Sequence, residues 1–457
     1  MSGQGDGSSA ACVKIEGFIM NESTAADEAA RKRHGIFHPK ILTTLRTYDM
    51  PTFLSDFGAG LTVAMVALPL AMAIAIASGA NPGAGLVTAI VAGFVISALG
   101  GSRVQIGGPT GAFIVVVYSV IVDHGYDGLV IATFMAGLIL IAAGVLRAGR
   151  LIRHVPEPVI NGFTIGIAVI IGSSQIADFF GLAIEGQMPA DFIPKIKVLW
   201  ANLSSFSLSS AVIALVTLVL IVAFRRAAPK LPGLVVAVGL TSAAVAAFGL
   251  DVGTIASRFG AIQSSLPMPG LPAVSLERLV DLLPSAMIIA FLAGIESLLS
   301  ALVADRMAGT AHRSNTEIVA QGAANVVSAL FGGLPATGAI ARTATNIRAG
   351  AKTPVAGILH SIFLLAFMLL AAPLAGLLAL PALAAVLVLT AWNMAEPQHF
   401  MERLRTRRSD QLLLLMTLVL TVLADLTVAI GAGVAVGLML RLTRRGTPEP
   451  DWHTPER

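Results

Sequence analysis

The chain has 457 residues, 56% hydrophobic and 12% charged, with a formal net charge of +4 and a mean hydropathy of +0.83. Water-soluble domains average about 25% charged residues, so the composition excludes an ordinary globular enzyme, a nucleic-acid-binding protein and a disordered chain. It fits an integral membrane protein with many helices, and the single cysteine, Cys12, excludes an intramolecular disulfide and a multi-thiol metal site.

Residues 1–50 are polar and mixed in charge and carry no apolar h-region ahead of a small-residue cleavage site, so a poorly ordered cytoplasmic leader is expected there. From Asp56 onward apolar segments alternate with short polar breaks. Full-length spans are expected at 56–78, 84–100, 128–146, 156–178, 208–224, 232–249, 282–304, 317–331, 353–372, 374–393, 410–426 and 427–443. Two further segments, 109–122 and 337–349, are too short and too rich in Gly, Thr and Pro to cross alone as helices. The membrane part is expected over 51–445, with a cytoplasmic tail at 446–457.

Loop charge decides whether the two short segments cross. If both do, there are 14 crossings, and with the N-terminus inside, 25 of the 30 Lys and Arg face the cytoplasm. Lys195, Lys197, Arg258 and Arg278 fall outside, and Arg342 lies within a short segment. If neither crosses, the middle basic loops face outward, against the positive-inside tendency. The short segments therefore cross, each as an extended stretch continued by a half-helix. Extended backbone in a bilayer must be buried in protein or line a cavity, and two such segments at matching places mark a transporter's binding site.

The two segments repeat one another. Pro109-Thr110-Gly111-Ala112 pairs with Pro335-Ala336-Thr337-Gly338-Ala339, and the shared Thr-Gly-Ala recurs 227 residues later. Seven crossings separate the copies; an odd number inverts the second half relative to the first. The same offset carries Glu296 onto Pro69 and Arg342 onto Val115.

Half-helices of opposite sense bring their amide ends towards the midplane, each with unpaired N–H groups and about half a positive charge. Such ends bind anions. Pro109 suits a first helical turn, where no N–H is needed. Gly111, Ala112, Gly338 and Ala339 leave room for a small anion, and Thr110 and Thr337 add hydroxyls. Small residues also serve tight helix packing, but packing does not require the duplicated motif. Arg342, about one turn into the second half-helix, either attracts the anion or pairs with Glu296. Glu296 is the one acid well inside a long apolar segment, and Ser300 lies on its face. The pair can carry a proton or supply oxygen ligands to Na⁺. Asp305 reads as a solvated cap, and His124, His154, His312, His360 and His399 share no spacing that suggests a metal site.

These residues resemble the SulP/SLC26 family of anion transporters. Gly60–Ala73 looks like the family's first helix, Gly101–Gly111 the segment before its third, and Ile295–Asp305 its eighth. Gly332–Arg348 is similar to its tenth and is the most specific of the four. The resemblance implies an all-α polytopic fold of 14 segments in a 7+7 inverted repeat, with two half-helices preceded by short strands. It implies a core domain (about 56–148 and 282–372) that moves against a gate domain (about 155–250 and 374–443). It further implies a substrate site between the third and tenth helices, which also takes in Pro69, Leu70 and Ile340, and homodimers in a bacterial-type inner membrane with both termini cytoplasmic. Many sulfate-type members have Gln where this chain has Leu70, and the Leu form resembles cyanobacterial bicarbonate transporters. Their Na⁺-driven members tend to have Asp and Thr where this chain has Glu296 and Ser300, which favours H⁺. After Arg441 only 16 residues remain, so the family's usual cytoplasmic STAS domain is expected to be missing.

The expected activity is secondary active transport of a small anion (bicarbonate, sulfate or a dicarboxylate) by an elevator-type mechanism, with H⁺ as the coupled cation and no cofactor. The alternatives are a Na⁺-coupled bicarbonate symporter, an uncoupled exchanger or channel, and a nucleobase carrier of the same general fold. An enzyme would need a nucleophile–base pair or a metal cluster within the helices, and the sequence offers neither.

Overall fold

In the computed structural model the described residues are 37–147, 157–184, 188–228, 232–261, 264–270, 272–403, 407–424 and 426–443. The expected leader enters this set only from Phe37, and the expected tail at 446–457 lies outside it.

The first half contains α1 (Met50–Ala77), α2 (Pro82–Leu99), a strand β1 (Gly107–Gly108), α3 (Ile114–Val145), α4 (Glu157–Ser174), α5 (Phe192–Ala201), α6 (Leu208–Ala227) and α7 (Gly233–Phe248). The second half runs α8 (Leu276–Ala308), α9 (Ser314–Leu330), β2 (Thr337–Gly338), α10 (Ile340–Arg348), α11 (Val355–Gly376), α12 (Leu380–Ala395), α13 (Arg408–Leu423) and α14 (Leu426–Thr443). Among the described residues eight helices are long and apolar enough to cross a membrane. Helix α7, at 16 residues, is apolar but shorter than the ~20 a perpendicular span needs.

Local chemistry sets the boundaries. Asp49 caps α1 by accepting from the Thr52 N–H, Asn81 caps α2 through Gly83, and Pro51 and Pro82 occupy first-turn positions that need no N–H donor. The short segment expected at 109–122 and the span at 128–146 form one element, α3, broken at Gly125. Gly125 has φ 72° and ψ 177°, a conformation open to glycine. The span expected from 374 begins instead at Leu380. Helix α11 continues past Pro373, through a kink at Ala371, and the chain then pauses where Ala379 bridges Thr254. Helix α5 was not anticipated: its Lys195 and Lys197 read simply as loop charge.

The helices pack in two groups. In one, α9 and α8 run along α3, α11 lies across α1 and α2, and α10 packs on α8 and α1. In the other, α13 and α12 pack on α4, α12 also packs on α6, and α14 packs on α13. The groups meet through α12 and α7 against α1, and through the turn Gly111–Phe113 against α4 and α12.

Residues 37–49, the end of the expected leader, dock on the end of α2 and the start of α9. The Lys40 N–H donates to the Gly100 carbonyl at 2.9 Å, and Arg313 donates to the His38 carbonyl at 2.8 Å. Asp305 is more than a solvated cap, because it accepts from the His312 ring at 2.6 Å, the His312 N–H at 2.8 Å and the Thr310 hydroxyl at 2.9 Å.

Asp56, fully buried near the start of α1, closes the loop after α10. It accepts from the Lys352 and Thr353 N–H groups at 2.7 and 3.2 Å, from the Thr353 hydroxyl at 2.5 Å and from the Tyr48 hydroxyl at 3.3 Å. Burial, with the Asp56 carboxylate adding to it, pushes the Tyr48 hydroxyl up to about 12. Asp56→Ala would leave several buried donors unpaired, at about 1–3 kcal/mol each. A thermal melt in detergent should show an unfolding midpoint lower by several degrees, and an unchanged midpoint would contradict this account of the loop.

Candidate functional site

The extended segments 100–110 and 332–339 are buried within the first group of helices apart from Arg103 and Gly332, and side chains supply hydrogen bonds to their backbone. Gly101 and Ser102 donate to the buried Glu317 carboxylate at 2.8 and 3.1 Å. Asn346 donates to the Val104 carbonyl at 2.9 Å, and the Ile106 N–H donates to the Thr343 hydroxyl at 3.0 Å. On the second segment Leu334 donates to Thr88 at 2.6 Å, and Asn325 both donates to and accepts from Ala336 at 2.8 Å.

The two segments cross. Gly107 pairs with Gly338 and Gly108 with Thr337 in an antiparallel ladder, and Ala339 donates to the Ile106 carbonyl at 2.8 Å. Each strand leads into a half-helix, one through Gly111–Phe113 into α3 and the other into α10. Because the two strands run antiparallel, the chain enters the two half-helices from opposite directions, and each begins with its amide end next to the ladder. The Gly111, Ala112, Ile340 and Ala341 N–H groups donate to no backbone carbonyl, as first-turn amides do not.

Helix α8 fastens both starts through adjacent residues. The Thr110 hydroxyl donates to the Glu296 carboxylate at 2.9 Å. The next residue, Ser297, has its Oγ 2.6 Å from Thr337 Oγ1 and accepts from the Gly338 N–H at 3.1 Å. Gln105 donates to the Ser297 carbonyl at 3.1 Å. It crosses the strand so closely that a Cβ on Gly338 would sit 1.6 Å from its Nε2. Ser300 is fully buried and lies 3.3 Å from the Thr343 hydroxyl.

Arg342 is 2% exposed and donates through Nη2 to the Pro109 carbonyl. Its Nη1 sits against Gly108, and neither Nε nor Nη1 has a hydrogen-bond partner. The guanidinium is thus tucked behind β1. It does not pair with Glu296, which takes the Thr110 hydroxyl instead, so its charge reaches the amide ends as a field. Pro109 lies in the extended segment ahead of the first turn, because Thr110 is still extended at φ −126°, ψ 158°.

Leu70 is buried in the apolar cluster that also holds Phe113 and Leu383. Pro69 is not brought to the ladder. It lines a separate apolar cavity of about 250 Å³ with residues of α7 and α11. The expected contacts Gly111 and Ala112 face α4 and α12: a Cβ on Gly111 would lie 3.3 Å from both Ile171 and Met394. Ile340, by contrast, is 38% exposed. Gln105, Ser297, Thr343, Asn325 and Thr88 were missed in the sequence. For Thr88, Ser297, Asn325 and Gln105 the signal was a polar side chain within a mainly apolar helix or beside a glycine pair; Thr343, in a polar half-helix, gave none. Among the described residues no group of three or more His, Cys, Asp or Glu could hold a metal ion.

The crossed half-helices within a polytopic helical fold define a membrane transporter. The sulfate permease family matches residues 53–417; the chain belongs to this family, whose members are transporters and not enzymes. It is 43% identical over 394 residues to the candidate sulfate transporter YvdB of Bacillus subtilis (strain 168), covering 86% of this chain and 73% of that protein. It is 34% identical over 401 residues to the bicarbonate transporter BicA of Synechocystis sp., covering 85% and 70%. Among solved structures, the transmembrane domain of a cyanobacterial bicarbonate transporter BicA superposes with a TM-score of 0.75 at 33% identity, over 84% of this chain and 99% of that one. SLC26A9 shares the fold, with a TM-score of 0.80 at 18% identity, over 92% of this chain and 70% of that one.

Ser297→Ala would strand the buried Gly338 N–H and remove a partner of Thr337, at about 1–3 kcal/mol for the lost pairing. Substrate uptake should fall about tenfold with a lower melting midpoint. Full uptake with an unchanged midpoint would show that Ser297 does not hold the second half-helix.

Proposed function

We propose that the protein is a secondary active transporter that moves a small anion (bicarbonate, sulfate or a dicarboxylate) across a bacterial plasma membrane. The anion sits against the amide ends at Thr110–Ala112 and Gly338–Ile340, with Arg342 supplying positive potential from behind the strand. Helices α1–α3 and α8–α11 act as a core that slides in elevator fashion against a gate of α4, α6, α7 and α12–α14. Both termini are cytoplasmic, as loop charge favours, and the protein works as a homodimer.

The observation that carries this reading is the hydrogen bond from Thr110 to Glu296. It joins a residue at the anion-facing turn to the one carboxylate within α8 that faces the half-helices. A carboxylate accepts that hydroxyl; on taking up a proton the same oxygen can no longer serve as a full charge beside the anion, which lowers the repulsion between them. Anion entry and protonation thus favour one another, the reciprocal linkage that symport needs. The buried Ser300–Thr343 oxygen pair beside Glu296 supports a second reading, in which Na⁺ is the coupled cation and bicarbonate the substrate.

The test is uptake of radiolabelled bicarbonate, sulfate and fumarate into proteoliposomes, with pH and Na⁺ gradients imposed separately. An inward proton gradient should drive accumulation, and a Na⁺ gradient alone should not. Glu296→Gln should abolish accumulation while leaving downhill exchange measurable. Undiminished uphill uptake by that variant would remove Glu296 from coupling, and uptake that neither gradient changes would leave an uncoupled exchanger.

A further inference from the structure

The two sides of the ladder differ. On the α10 side Ile340 and Ala341 are exposed, whereas on the α3 side the turn Gly111–Phe113 is closed against Ile171 and Met394. Helix α5 is carried by the second group of helices through its contacts with α4 and α13. Its Leu199 is buried with Ala177 and Leu182 in a small apolar cluster that Ile196 and Met188 also touch.

Tyr118, two turns into the half-helix of α3, spans the gap. Its hydroxyl donates to the Met188 carbonyl, and the Lys195 ammonium lies over its ring, 5.9 Å from the centroid. Lys195 is only 4% exposed, while Lys197 on the same helix is exposed. Burial pulls its ammonium below the ordinary lysine value, and Asp191 one turn earlier pulls the other way. A cation so desolvated is held in place by the closed arrangement, not by preference for it.

We infer that Lys195 is the anion-receiving cation of the closed mouth: covered by Tyr118 while the half-helix abuts α5, and presented to the passage when the two helix groups separate. Tyr118 lies seven residues beyond Gly111, on the order of 10 Å along the half-helix, and the ammonium over its ring is thereby set on the α3 side of the amide ends. A unit charge at that distance acts on the anion before the backbone amides do. The inference rests on the transport reading for its context. It adds a binding residue outside the crossed strands, on an element that the sequence offered only as loop.

The experiment uses the full chain in proteoliposomes with sulfate and bicarbonate as probes. Lys195→Met should raise the half-saturating concentration for anion entering from the α5 side about fivefold with the maximal rate kept, as expected for losing one charge about 10 Å from the site. Lys195→Arg should behave as wild type. In a Cys12→Ser background, Lys195→Cys should show the same weakening. A quaternary-ammonium methanethiosulfonate should reverse it and the sulfonate analogue should deepen it, which a purely structural lysine would not show. Unchanged half-saturation in the Met variant, or equal effects of the two reagents, would overturn the inference. Labelling of the thiol at 195 needs no transport: sulfate should slow it, and identical rates with and without sulfate would contradict anion contact even if the wild type carried none of the probes. Absence of wild-type uptake alone would count against the transport reading.

Discussion

The arrangement of the half-helices depends on keeping two extended, buried pieces of backbone hydrogen-bonded away from any regular sheet. A helix or a closed barrel meets that demand by itself; an isolated strand in a bilayer does not. Here the strands satisfy it partly through a ladder of two residues each, Gly107–Gly108 against Thr337–Gly338. The rest comes from polar side chains delivered by α2, α8, α9 and α10. Helices α2 and α8 contribute the hydroxyls of Thr88 and Ser297, α9 contributes Asn325 and Glu317, and α10 contributes Thr343 and Asn346. The ladder is short, so removing one partner leaves an orphan with no neighbouring bond to take up the strain. In return, two half-helices begin at the centre of the protein with their first amides unspent, a polarity that continuous helices cannot present at mid-depth.

That arrangement is asymmetric despite the repeat. Arg342 has Val115 as its counterpart, so of the two half-helices only α10 carries a buried arginine beside the ladder. It is held behind β1 by the Pro109 carbonyl, so a guanidinium that would be costly in lipid is enclosed by protein and contributes without obstructing the amide ends. On α8 the adjacent residues Glu296 and Ser297 divide the work, one reaching Thr110 and the other Thr337 and Gly338. A single helix therefore registers both half-helices, and a shift in it is felt at both ends of the ladder.

Much of this was legible in the sequence because it follows from counting. The parity of crossings and the distribution of Lys and Arg required residues 109–122 and 337–349 to enter the membrane. The repeated Thr-Gly-Ala then falls on the second strand, Thr337–Gly338, but three residues past its partner Gly107–Gly108 in the first, because the strands pair out of step with the repeat. The pairing of Thr110 with Glu296 was not legible, since residues 186 apart have no local pattern that links them. Nor was the direction of Arg342: spacing places it on a helix face but cannot say that the guanidinium turns behind the strand. Pro69 belongs to the site that the family resemblance implies, yet helix packing sets it in a cavity lined by α7 and α11. Helix α5 escaped notice because ten residues with two lysines read as loop, and its role emerges only when Tyr118 is seen against it.

The most direct test of the central claim is to locate the anion. Selenate or bromide bound to crystals of the protein gives an anomalous signal whose position does not depend on any assumption about coupling or direction. The account predicts a peak between the first-turn amides of Gly111–Ala112 and those of Ile340–Ala341, lost when the ladder is disrupted by Gly338→Val. A peak elsewhere, with the half-helix ends empty at saturating anion, would contradict it.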